Sequence, residues 1–279
     1  SNTHWDLACA RVRALMKDPV VQVIQESRPA FEYECGNSLP FIEGRPPFTE
    51  LAGGEYSENG AQAMVAIVDD GIDVLHEAFL DDQGRSRVVG IWDQRDGNGP
   101  PPAGFTFGTY YSDQDVAGFV AAKSVPPSLT RNVDGHGSHV ASIAAGRKAG
   151  NFAGGLAPAA ELLVVISSSD QPTGYSDAHL AGLKFIDQVA KERGKPVVVN
   201  ISQGMNAGAH DGRSALELGF EHFSDGGRMP GRIVVKSAGN ERARQGHAEV
   251  TLLAGSVEPL NLECDPVPFP PSKSSIELW

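Results

Sequence analysis

Four short apolar runs dominate what this chain can fold into: Met64–Val68, Leu162–Ile166, Val197–Ile201 and Ile233–Val235. Each is rich in β-branched residues and nearly continuous, without strict alternation of apolar and polar. Such runs suit strands of a parallel sheet that is covered on both faces. Helical patterns lie between them. Ser138–Ala145 is built of small residues that can pack closely. Asp177–Arg193 places Leu180, Leu183, Ile186, Val189 and Ala190 along one side, and Gly194 stands where a helix would stop. Ser214 and Glu217 open Ser214–Phe223 with the spacing of a capping box. Strands alternating with helices predict an α/β fold, a parallel β-sheet flanked by helices on both faces.

The two ends read differently. Near the start, a helix is expected over Asp6–Met16 and a strand over Val20–Ile24. A loop rich in Pro, Gly and Glu follows, from Pro29 to Gly60. After Gly246, the runs Ala248–Val257, Leu260–Cys264 and Ile276–Trp279 read as short strands, with a Pro-rich break at Pro266–Pro271. They suggest the start of an all-β insertion or second domain.

Composition removes several functions. The net charge of −12 disfavours nucleic acid, where affinity comes largely from Lys and Arg on phosphates. No apolar run approaches the ~20 residues needed to span a membrane, so no membrane partner is expected. The three cysteines, Cys9, Cys35 and Cys264, match no zinc motif, and an odd number cannot close a disulfide framework. No strand is followed by a Gly-x-Gly-x-x-Gly turn or a P-loop, which weakens a nucleotide-binding reading.

In open α/β sheets, ligands bind outside the carboxyl ends of the strands. Here those ends carry Asp69-Asp70-Gly71, Ser202-Gln203-Gly204 and Lys236-Ser237-Ala238-Gly239-Asn240. A carboxylate at a strand end can orient a histidine and stabilise its imidazolium. His136, between Gly135 and Gly137 at the mouth of the small-residue helix, is the candidate. Asn240 can aim its amide at an oxyanion. The backbone of Ser202, Gln203 and Gly204 can pair with an extended peptide.

Together these segments resemble the subtilisin-like serine proteases, the subtilases. Val65–Asp73 resembles their Asp motif, and Asp134–Ala141 their His motif with Ser138 where Thr is usual. Asn200–Gly204 resembles their substrate-binding strand, and Ser237–Glu241 their oxyanion motif. The four motifs stand in the family's order over roughly Val20 to Asn240. The resemblance implies a serine endopeptidase using an Asp-His-Ser triad, with Asp69 and His136 as two members and Asn240 in the oxyanion hole. It also implies that Tyr175 and Ser176 belong to a second peptide-binding strand. Asp18–Ser27 resembles the last strand of a subtilase propeptide. Ile91-Trp92-Asp93-Gln94 and Gly104–Gly108 resemble a bacterial subgroup with a β-rich insertion before the catalytic Ser. The implied division is a propeptide remnant over 1–28, the catalytic domain without its Ser segment over 29–246, and a truncated insertion over 247–279.

The departure is the nucleophile. The family's Gly-Thr-Ser opens a helix, and no such run occurs in these 279 residues. Ser256 is the nearest imitation, but it lies in a strand-like run too soon after Asn240. The expectation is a fragment, inactive alone, whose partners are a peptide or protein substrate and a C-terminal remainder of the same protein carrying the Ser. The alternative is a non-catalytic peptide-binding pseudoprotease. No cofactor is expected. His136 and His139 lack a third metal ligand at sensible spacing, and His139 is read as a packed helix residue. Asp93, Asp96 and Asn98 would suit structural calcium, but their spacing does not match an EF-hand loop and a solvated turn is preferred. Asp70 and Asp73 are read as turn or supporting acids. By family resemblance a secreted or cell-envelope location is expected over a cytoplasmic one.

Overall fold

The computed structural model describes residues 59–131, 135–168, 175–204 and 211–240, with 251, 254 and 255. The expected helix at Asp6–Met16, the strand at Val20–Ile24 and the propeptide segment lie outside the described residues. So does nearly all of 247–279. Within Ala248–Val257, read above as a strand, Ala254 and Gly255 instead form a turn, with Gly255 at φ +84°.

Six strands form one sheet in the order β3-β2-β4-β1-β5-β6. They are β1 Met64–Asp69, β2 Val88–Asp93, β3 Thr109–Ser112, β4 Glu161–Ile166, β5 Val197–Ile201 and β6 Arg232–Lys236. All neighbours pair in parallel except β2 and β3. Each of the four apolar runs read from the sequence is a strand. The burial of every residue of β1 explains why its run does not alternate.

Among the described residues, four α-helices cover the sheet: α1 Asp113–Ala122, α2 His136–Ala145, α3 Tyr175–Arg193 and α4 Ala215–Ser224. On one face, Met64, Ala66 and Val68 of β1 pack with Leu183, Ile186, Val189 and Ala190 of α3 and Phe223 of α4. On the other, Val65 and Ile67 pack with Ala141 and Ala145 of α2 and Val116 of α1. The small residues of α2 therefore let this helix lie close to the sheet. Gly194 ends α3 at φ +63°, and Ser214 caps α4 through the expected reciprocal bonds with Glu217.

Strands β2 and β3 and helix α1 were not legible as elements. Gly90 breaks the apolar run of β2, and its pairing with β4 shifts register between Val88 and Gly90. Strand β3 is an edge of four residues, only one of them buried. Helix α1 is fixed by a capping box between Ser112 and Asp115, a local signal with only Val116 buried behind it.

Candidate active site

Parallel pairing brings the motif-bearing strand ends to one edge of the sheet. In register, Val68 of β1 pairs with Ile201 of β5, and Ile201 pairs with Lys236 of β6. Asp69, Ser202 and Ser237 thus leave the sheet side by side. Ser237 N donates to Ile201 O at 3.0 Å, which extends this pairing one residue beyond β6.

Asp69, the last residue of β1, is wholly buried. Its Oδ1 lies 2.7 Å from Nδ1 of His136, the first residue of α2, and also accepts from Asp70 N at 2.8 Å. The His136 side chain is 52% exposed against 1% for Asp69. A buried acid therefore holds one edge of a ring whose other nitrogen, Nε2, remains available for proton transfer. Burial pushes the Asp69 carboxyl up from the ordinary range, against the opposing pull of the His136 and Asp70 hydrogen bonds. The hydrogen bond from Asp69 raises His136 above its usual value, with the charges of Asp69 and Asp70 adding to the effect against partial burial. A ring held this way keeps its proton on the Nδ1 side and can take a second at Nε2.

The loop after β1 also grips α2. Gly137 N donates to Asp70 Oδ1 at 2.9 Å, and Asp73 N donates to Ser138 Oγ at 2.8 Å. From the end of β2, Arg95 Nη2 donates to the Asp70 carbonyl. Asp70 and Asp73 are thus supporting residues as read, whereas the part played by Arg95 was missed. Its only sequence signal is a position just beyond a strand that Gly90 disguised.

At the neighbouring strand end, Asn200 Nδ2 donates to Ser202 Oγ at 2.8 Å. Ser202 and Gln203 are half-buried and Gly204 is exposed, so this backbone is open at its far end. A Cβ placed on Gly204 would lie 3.9 Å from Gly239 Cα, which brings the end of the Ser202–Gly204 segment near the Ser237–Asn240 segment. Asn240 is exposed one residue beyond Gly239, whose φ of +92° favours glycine.

Other expectations fare differently. Tyr175 and Ser176 are the first residues of α3, helical and not extended, so they form no second peptide-binding strand. His139 is exposed on α2 and not packed, because Ala141 and Ala145 occupy the side facing the sheet. Asp96 has both carboxylate oxygens engaged: Oδ1 accepts from Asn98 and Oδ2 from Tyr111. These bonds hold its carboxyl below the usual range despite burial. The loop around it is a hydrogen-bonded turn of the fold.

Among solved structures, the chain is similar to the Clostridium perfringens CspB protease. It is 28% identical, the match covers 70% of this chain and 39% of that chain, and the TM-score is 0.58. A second neighbour is described as an S41 psychrophilic protease, at 20% identity, 68% and 50% coverage, and a TM-score of 0.41. This chain therefore spans well under two thirds of the length of either. No curated protein matches. The family model described as the Subtilase family matches residues 60–260, a span holding Asp69, His136 and Asn240 at their strand ends and helix mouth, and the chain belongs to the subtilase family.

Proposed function

We propose that the chain supplies the Asp–His half and the substrate cleft of a serine endopeptidase. The observation that carries this reading is the 2.7 Å contact between buried Asp69 and half-exposed His136. In the proposed cycle a Ser hydroxyl attacks the scissile carbonyl carbon while His136 Nε2 takes the hydroxyl proton. The C–N bond breaks as that proton passes to the leaving amine, and the resulting acyl-enzyme is hydrolysed by water through the same base. Asp69 keeps the ring in the required tautomer and stabilises the imidazolium. Asn240 donates to the carbonyl oxygen as it gains negative charge. Ser202–Gly204 pairs with the substrate backbone, and Gln203 makes the adjoining pocket more polar than an apolar residue would.

The nucleophile is proposed to come from a C-terminal remainder of the same protein. Supporting this are the lack of a Gly-Thr-Ser run in the 279 residues and an apolar strip on β6. Ile233 and Val235 are 53% and 50% exposed. Through the pairs Val65–Val198–Ile233 and Ile67–Asn200–Val235 they lie on the same sheet face as α2. An element packed there, beside α2, would stand next to His136. Peptides and proteins are the proposed substrates, without nucleic acid, membrane or cofactor, and a secreted or cell-envelope location is proposed from the family.

A fluorophosphonate probe tests the reading. The chain alone should not be labelled, whereas a longer form including the downstream sequence should be labelled once, at its Ser. Stoichiometric labelling of the isolated chain would overturn the fragment reading. A longer form that binds peptides but has no Gly-Thr-Ser and takes no label would establish the pseudoprotease instead.

A further inference from the structure

Helix α2 begins without a side-chain cap of its own. Its N-cap is Gly135, at φ +68°, which has no side chain to accept the free N–H groups of the first turn. Asp70 meets that need from another element, accepting from Gly137 N at 2.9 Å. Its own backbone is held on both sides. Asp70 N donates to Asp69 Oδ1, and the Asp70 carbonyl accepts from Arg95 Nη2. The acid that caps α2 thus follows Asp69 directly, while the residue it caps follows His136 directly. A carboxylate here also suits the positive end of the helix.

We propose that Asp70 is a positioning residue for His136: its carboxylate caps α2 across the loop and so seats Nδ1 of the imidazole on Asp69. Gly137 is what allows the approach. A Cβ there would lie 2.0 Å from Gly71 O and 3.1 Å from both Asp69 Cβ and Asp70 Oδ1. The role rests on the proposed use of His136 as a base, but the geometry it sets can be read without turnover. Among the described residues, Asp69 and Asp70 are the charged groups acting on the ring, and both favour its protonated form.

The test is NMR titration of the His136 ring in this chain, together with hydrogen exchange at Gly137 N–H. Asp70→Asn keeps an oxygen acceptor and loses the charge. It should retain Gly137 protection while the His136 midpoint moves down. Asp70→Ala loses both, so Gly137 should exchange faster and the midpoint should fall further. Undiminished Gly137 protection in a folded Asp70→Ala overturns the proposal, as does a midpoint there no lower than in Asp70→Asn. If Asp70→Ala does not fold, Asp70→Leu, which also lacks an acceptor and is close to Asp in size, is read in the same way. Neither readout needs a nucleophile, so failure of the protease reading would show separately, as absent probe labelling in the longer form.

Discussion

Gly137 and Gly71 approach so closely that a single methyl group on Gly137 would fall 2.0 Å from the Gly71 carbonyl oxygen. The opposing atom is backbone and cannot swing aside, so α2 would have to move away from β1. Overpacking of this kind typically costs about 1–3 kcal/mol. Gly137→Ala should lower stability by that amount in urea unfolding. It should also lower the His136 midpoint, because the ring leaves Asp69 with the helix. A variant as stable as the parent, with an unmoved midpoint, would mean that the contact is looser than described.

The Asp69–His136 pair gives stability a definite pH dependence. His136 has a raised pKa in the fold, so its contribution is fully present below the unfolded value near 6.5 and is lost as pH rises through the folded value. Asp69 is also raised, by burial, so the folded state again binds more protons than the unfolded chain. Both contributions decline as pH rises. In Asp69→Asn one group no longer titrates and the other loses its partner. The decline above pH ~6.5 should flatten, as measured by unfolding at a series of pH values, and the His136 midpoint should fall.

The far end of α2 is anchored by Arg87. This buried guanidinium donates to the carbonyls of Ala145, the last residue of α2, and of Ala78 and Ala160, at 2.6, 2.7 and 2.8 Å. Burial, with Arg147 nearby, pulls it down to about 10. Replacing it by Met would leave the Ala145 and Ala160 carbonyls without this donor, each costing about 1–3 kcal/mol, while the Ala78 carbonyl would keep its bond from Arg147 N. Arg87→Met should therefore destabilise by at least ~2 kcal/mol in urea unfolding. Arg87→Lys should recover only part of this, since an ammonium cannot match the planar spread of guanidinium donors. Equal stability of the Met variant would contradict the bonding described.

How much of this was legible in the sequence depends on where each signal lies. Strands β1 and β4 announce themselves because burial on both faces leaves almost no polar positions to blur the pattern, whereas β5 and β6 were legible from their β-branched runs although Asn200 lies within β5 and Ile233 and Val235 of β6 are half exposed. Asp69 and Asn240 could be singled out because a strand-end position and a motif coincide there, and His136 because its motif opens a helix. The capping of α2 by Asp70 was not, since Gly135 gives no cap signal and the acceptor lies 67 residues away. Tyr175 and Ser176 mark the opposite failure: the resemblance implied an extended segment where the chain is already helical. Arg87 carried no signal, because its partners are carbonyls, which every residue has.

The exposed strip on β6 offers a prediction that separates this chain from a longer form. Val234 points to the face covered by α3 and α4, whereas Ile233 and Val235 point to the face shared with α2 and are about half exposed. Changing an exposed side chain away from special features usually moves stability by no more than ~0.5 kcal/mol. Ile233→Ser should therefore be nearly neutral in the chain alone. If a Ser-bearing element covers this strip in the longer protein, the same residue becomes core there. The substitution should then cost about 2 kcal/mol or more, from lost apolar burial and a buried hydroxyl. Urea unfolding of both forms, with and without the substitution, measures the difference directly. An equal, small effect in the two forms would place any Ser-bearing element somewhere other than beside α2, and would remove the structural support for a nucleophile supplied from that side.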